Sequence, residues 1–256
     1  MMEKMIEAVS IIRIKYRFQG YVHMKILPGT SQDLVKRSSE IATRLSINIE
    51  APTRERIGEI STTKDFKIDI LRRQAWIKRT KPRAGQTTQI VVGAGGETDL
   101  EILKMTDWEY KNIELTRMYF SAFSPVKGTA FENKETVEGP REFRLYNVDF
   151  LFRKYGYKLK EIKDILNNEM LPREDPKLLI ARNNFEGHVD VNDLNYNELL
   201  RIPGIGPRSA NNIVKQRNSG AKIKTKKGLK TCGVVLKRAL PFVEVNGERQ
   251  KCVLEY

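Results

Sequence analysis

Between two runs rich in helix-forming residues, the chain reads RIPGIGPRSA over residues 201–210. The run before it is NYNELL. The run after it, PRSANNIVKQR, sets Ala210, Ile213, Val214 and Arg217 at helical spacing. Two helices must therefore meet across a corner of a few residues built from Pro203, Gly204, Ile205, Gly206 and Pro207. Glycine tolerates positive φ at no steric cost and lets another molecule approach the backbone. Proline is favoured at the first helical position, so the second helix is expected to begin at Pro207. Its unpaired N–H groups, together with the positive end of the helix, would face the corner and favour an anion. The plainer alternative is a tight turn between helices, which needs one glycine and not two.

Charge points the same way. The formal net charge is +14 over 256 residues. Residues 201–240 hold eleven Lys or Arg and no Asp or Glu, and the last 56 residues carry thirteen basic against three acidic. A basic run is ordinarily a solvated face. Forty acid-free residues around a glycine corner point instead to a polyanion such as the phosphate backbone of a nucleic acid.

The stretch ELLRIPGIGPRSANNIVKQR resembles the helix-hairpin-helix motif, a sequence-independent DNA-binding element. The resemblance rests on Pro203-Gly204-Ile205-Gly206, then Ala210 and Ile213. It implies backbone contacts to DNA from Pro203, Gly204, Ile205, Gly206, Arg208, Ser209, Lys215 and Arg217. Val191-Asn192 and LKTCGVVLKRALPFV (229–243) extend it toward the tandem form of bacterial competence DNA receptors. The second hairpin has Thr231-Cys232-Gly233-Val234 in place of the glycine signature, so it is expected to pack and not to grip phosphate.

The first half alternates strand and helix. YVHMKILPG, RLSINIEAP, QTTQIVVGAGGETD and RMYFSAFSP read as strands. SQDLVKRSSEIAT (with Ser31 as cap), RERIGEI, KDFKIDILRRQAWIKR and LEILKMTDWEYKNI read as helices. This alternation predicts a parallel β/α architecture. In LSINIE a period of two puts Leu45, Ile47 and Ile49 on one side and Ser46, Asn48 and Glu50 on the other. The polar side is either the wet lumen of a barrel or a solvent-facing strand. Between the halves, Phe143, Tyr146, Phe150 and Leu151 fall on one stripe and read as core.

VVGAGGET follows a strand and opens a helix, so its backbone could cradle a nucleotide. Taken with the strands, it resembles the C-terminal half of a radical S-adenosylmethionine (SAM) barrel. More narrowly, the chain is similar to radical SAM proteins of DNA modification or repair that end in a helix-hairpin-helix. The glycine pattern of that superfamily fits loosely, with Gln89 at its first glycine and Glu97 one residue late. The resemblance implies ligand contacts from Asn48, Glu50, Gly93, Gly95, Gly96 and Glu97, with SAM and a [4Fe–4S] cluster as the family's cofactors. The family's CxxxCxxC loop is missing, because the cysteines are Cys232 and Cys252 alone. The chain by itself is therefore expected to hold no cofactor and to be inactive alone.

The expected fold is an incomplete parallel β/α barrel of partial TIM type over residues 1–135. A helical connector (136–187), an all-α helix-hairpin-helix domain (188–246) and a tail (247–256) follow. DNA is the expected partner, with a complementary N-terminal radical SAM fragment as a second. The expected setting is cytoplasmic, since two cysteines make no disulfide framework and no apolar run spans a membrane. The alternative function is a stand-alone, non-catalytic DNA-binding protein that keeps a half-barrel. A scaffold using the module for protein contacts is the third reading.

Overall fold

The computed structural model describes residues 1–245, so Cys252 and the tail expected over 247–256 lie outside the described residues. The chain divides between Tyr146 and Asn147 into two compact units.

The first unit is α/β. Helix α1 (Met2–Ile14) precedes strand β1 (His23–Lys25), followed by α2 (Gln32–Ile41), β2 (Arg44–Ser46), α3 (Arg54–Ile60) and α4 (Arg72–Thr80). Then come β3 (Gln86–Val92), α5 (Asp99–Trp108) and β4 (Arg117–Ala122). The four strands form one sheet in the order β1-β2-β3-β4, and every pairing is parallel. Met24 lies beside Leu45, Leu45 beside Gln86, and Ile90 beside Phe120. Because neighbours in register share a face, one face collects Met24, Ile26, Leu45, Ile47, Ile49, Ile90, Val92, Met118 and Phe120, all buried. The other face carries His23, Lys25, Asn48, Glu50, Gln89, Tyr119 and Ser121, which are exposed or half-buried. Purely parallel sheets ordinarily have both faces covered; on this polar face Ser46 and Thr87 are buried and the seven residues named above are not.

Local signals place the helices. Ser31 Oγ accepts from Leu34 N–H, as expected, and Thr53 caps α3 in the same way. Thr98 and Glu101 form a reciprocal capping box on α5. Helix α1 had no sequence signal, since its apolar residues include the exposed Ile11, Ile12 and Ile14. It buries Met2 and Ile6, and its Arg13 guanidinium donates to the carbonyls of Ile41 (2.9 Å) and Gly20 (2.8 Å) and to Thr43 Oγ1 (3.2 Å).

Helices α4 and α5 are each joined to a π-helical turn, Phe66–Leu71 before α4 and Glu109–Ile113 after α5. The second turn swings Glu109 fully inside. Burial raises its carboxyl to about 8, and the neighbouring Gln74 amide only partly opposes the rise.

The second unit is largely helical. Helix α6 (Gly139–Tyr155) runs across the division between the units, and α7 (Leu159–Lys163), α8 (Pro176–Asn184) and strand β5 (Val189–Asp190) follow. Then come α9 (Tyr196–Leu199), α10 (Pro207–Asn218), α11 (Lys226–Thr231), α12 (Leu236–Ala239) and β6 (Val243–Glu244). Val191, Leu199, Ile202, Ile205, Ala210, Ile213, Leu229, Val234 and Phe242 form its core. Strand β5 pairs in parallel with β6, joining Val189 to Val243. The stripe expected as core on α6 is half inside. Leu151 is buried and Tyr146 half-buried, whereas Phe143 and Phe150 are exposed, and Leu145 and Val148 are wholly buried. The apolar stripe is wider than the face that can be covered, so the aromatics fall at its wet margin.

Glu109 predicts a pH dependence of stability. Its pKa in the folded state lies above the unfolded value, so the folded chain holds a proton that the unfolded chain releases as pH rises through about 4.5. The resulting loss of stability grows up to about pH 8 and is on the order of 3 kcal/mol at pH 7. Glu109→Gln, which mimics the protonated acid, should raise the melting temperature at pH 7 and change it little at pH 5. Thermal unfolding of both proteins at the two pH values checks this.

Candidate nucleic-acid interface

The corner forms because Gly204 takes φ +83° and Gly206 returns to extended backbone at φ −107°, ψ 177°. Helix α10 then starts at Pro207, as the sequence predicts. Its first intrahelical bond from this end is Ala210 N–H to Gly206 C=O (2.8 Å). The N–H groups of Arg208 and Ser209 therefore lie in the first turn, where a helix offers no internal acceptor. No side chain caps this helix. By contrast, Asn195 Oδ1 accepts from two N–H groups at the start of α9, and Thr225 Oγ1 caps α11.

The two glycines do different work. A Cβ on Gly204 would lie 2.5 Å from Val235 O and 3.0 Å from Arg238 Cβ, both in the second hairpin. Val235 N–H also donates to Gly204 C=O at 2.9 Å. Gly204 is thus required by the turn and by the hairpin behind it. Its bare surface faces protein, where the sequence reading expected phosphate. A Cβ on Gly206 would meet only Tyr155 Oη, at 3.2 Å.

The expected contact residues separate into an outer and an inner set. Arg208 and Lys215 are exposed, as are Lys222, Lys224, Lys226, Lys227, Lys230 and Lys237. Pro203, Ile205 and Ser209 are buried. Ser209 Oγ donates to Gly233 C=O at 2.7 Å, locking the two hairpins together. The Arg217 guanidinium donates to the carbonyls of Val191 (3.1 Å) and Leu194, tying α10 to the entry of the module.

Residues outside the motif hold the corner from behind. Arg201 donates to Tyr155 C=O (2.9 Å), pairs with Glu161 (2.9 Å) and lies 4.0 Å from the Tyr157 ring centroid. Lys177, in the first turn of α8, is buried and donates to Ile205 C=O at 2.6 Å, with its ammonium 4.4 Å from the Tyr155 ring centroid. Burial brings its pKa down to about 7, and Arg238 adds to the fall. Asp175 and Pro176 open α8, and nothing in the local sequence marks that the next residue turns inward.

Residues 184–237 match the model of the helix-hairpin-helix motif. No curated protein and no solved structure matches the chain. The helix-hairpin-helix match takes in β5, α9, α10 and α11 and reaches the first residues of α12.

The expected ligand residues of the first unit form a separate constellation. Gly93 and Gly95 N–H groups both donate to the buried Glu97 carboxylate, the second at 3.1 Å. The loop that was expected to cradle a nucleotide is therefore filled by its own side chain. Gly96 takes φ +69°, and a Cβ on Gly95 would lie 2.8 Å from Arg56 O. Arg141 binds Asp99 (2.8 Å) and Glu97 C=O (2.8 Å), bracing the loop from outside. Asn48 and Glu50 are half-buried, and Glu50 lies 3.8 Å from Lys64 at a cavity of about 200 Å³ that also takes in Val91, Ala94 and Phe123. Among the described residues, no group of three or more His, Cys, Asp or Glu is placed to hold a metal ion. Cys232 is free and buried, and burial raises its thiol pKa above the ordinary value. Among the described residues, no helix is long and apolar enough to cross a membrane.

The glycines predict opposite outcomes. Gly204→Ala should cost roughly 2–4 kcal/mol, because the backbone must leave positive φ while the new methyl meets Val235 O. Gly206→Ala should cost less than about 1 kcal/mol. Urea titrations of both variants test this.

Proposed function

We propose that this chain binds DNA through its phosphate backbone, without sequence preference, using the corner at Gly206 and the basic surface beyond it. One observation carries the reading: α10 opens toward the corner with no side-chain cap, inside forty residues that contain no acid. An uncapped N-terminus with an exposed basic surround is the electrostatic counterpart of a phosphate. Gly206, Arg208 and Lys215 are the proposed direct contacts. Gly204, Ser209 and Arg217 build the site from inside.

On this reading, residues 188–246 are the DNA-binding module, 136–187 the connector and 1–135 a partial radical SAM-like barrel from a protein of DNA modification or repair. The parallel sheet with one polar face supports the barrel assignment, and its strand edges suit a complementary N-terminal fragment. The proposed setting is the cytoplasm. The donor set does not fit the family's cluster, since the one described cysteine is a buried thiol in the hairpin module. Nor does the glycine loop fit as a backbone cradle, because Glu97 takes its N–H groups. No step is therefore assigned to SAM or a cluster. That filled loop favours the second reading, a DNA-binding protein in which the sheet unit is not catalytic.

Salt titration of binding to two unrelated duplexes tests the proposal. Wild type should bind both alike, with affinity falling steeply as salt rises. Lys226→Ala should lower the salt slope by about one unit at most, since each phosphate contact releases roughly 0.9 counterion. Gly206→Val, once circular dichroism shows it folded, should lose more affinity than Lys226→Ala. A folded Gly206→Val that binds like wild type would remove the corner from the interface.

A further inference from the structure

Lys177 lies before the residues that match the motif, yet its ammonium ends on the corner itself, at Ile205 C=O. The position is a poor one for a cation. Lys177 is 7% exposed and stands in the first turn of α8, at that helix's positive end. Its bond to Ile205 brings it beside the start of α10, a second positive end. The charged groups acting on it are Arg238 from α12, Arg201 from the corner (itself paired with Glu161) and Asp175 at the cap of α8. Asp175 is the one negative group among these, and it is shared with Arg238 at 2.7 Å. Tyr155 from α6 contributes its ring face and a hydroxyl against Gly206. Lys177 also borders a cavity of about 180 Å³ lined in addition by Asn147, Phe150, Tyr155, Asp175 and Arg238.

A buried amine surrounded mainly by positive potential is undercompensated in the free protein. An anion at the corner supplies what is missing. We propose that Lys177 is a proton-linked part of the DNA site: a phosphate arriving at the corner draws a proton onto its amine, so binding strengthens as pH falls. This rests on the DNA-binding reading above and adds a residue and a regulation to it. If Lys177 served only to tie down the Ile205 carbonyl, its loss would weaken folding and leave the pH slope of binding unchanged.

The balance is simple. The amine lone pair takes one proton from solvent on binding and returns it on release. Its free pKa of about 7 puts the effect in the ordinary working range. If bound phosphate raises its proton affinity tenfold, DNA affinity should fall about fivefold between pH 6 and pH 8 from this group alone.

The experiment is binding of a short duplex to the full chain at constant salt at pH 6, 7 and 8, for wild type, Lys177→Arg and Lys177→Met. It is paired with calorimetry at pH 7 in buffers of different ionisation enthalpy. Wild type should show the fall and take up a fraction of a proton. Lys177→Arg, always charged, should show neither, and His188 is common to all three proteins. Lys177→Met should be weakest at pH 6 and equally flat. If the variants misfold, absence of proton uptake in calorimetry on wild type still overturns the inference. Equal pH slopes in wild type and Lys177→Arg also overturn it, while leaving the DNA-binding reading intact. Failure of wild type to bind at pH 6 and low salt overturns both.

Discussion

The second unit depends on a backbone contact between two hairpins. Gly204 brings its chain so close to residue 235 that no side chain fits between them, and the two peptide groups exchange the space for a hydrogen bond. From that contact the rest follows. Ser209 can reach Gly233, the core of Ile205, Ala210 and Val234 can close, and α10 is held with its first turn facing out. The degenerate second hairpin is thus a structural partner of the first. Its exposed lysines widen the basic surface, but its glycine, at φ +86°, serves its own turn and the Ser209 bond.

The same economy appears in the first unit. A glycine-rich loop after a strand is commonly read as a seat for an anionic ligand. Here a carboxylate four residues from Gly93 occupies that seat. Glu97, Arg141 and Asp99 form a self-satisfied network around the end of β3, and such a network rigidifies a loop without any ligand.

Legibility in the sequence tracked the range of the interactions. The strands and their two-faced alternation, the cap at Ser31 and the start of α10 at Pro207 are local signals, and they were readable. The roles of Arg217, Ser209 and Lys177 depend on carbonyls 23 to 28 residues away, and nothing at those positions announces them. The π-helical turns were invisible for a related reason, since each is a local accommodation to distant packing that leaves the residue pattern helical. Helix α1 was missed because its buried stripe is short, with Met2 and Ile6 inside and Ile11, Ile12 and Ile14 exposed.

The pairing of β5 with β6 has a topological consequence. Two residues on each strand are enough to bring Val189 and Val243 side by side. Everything between them, including both hairpins, becomes a closed ring whose entry and exit share one spot on its surface. A segment with adjoining ends can be spliced into a loop of another protein, or carried at the end of one, without disturbing its host's ends. The closing contact spans more than fifty residues, so its loop-closure entropy must be offset by the packing inside the ring. Any chain stopping short of residue 243 would lose that closure, along with the shelter it gives the core around Phe242.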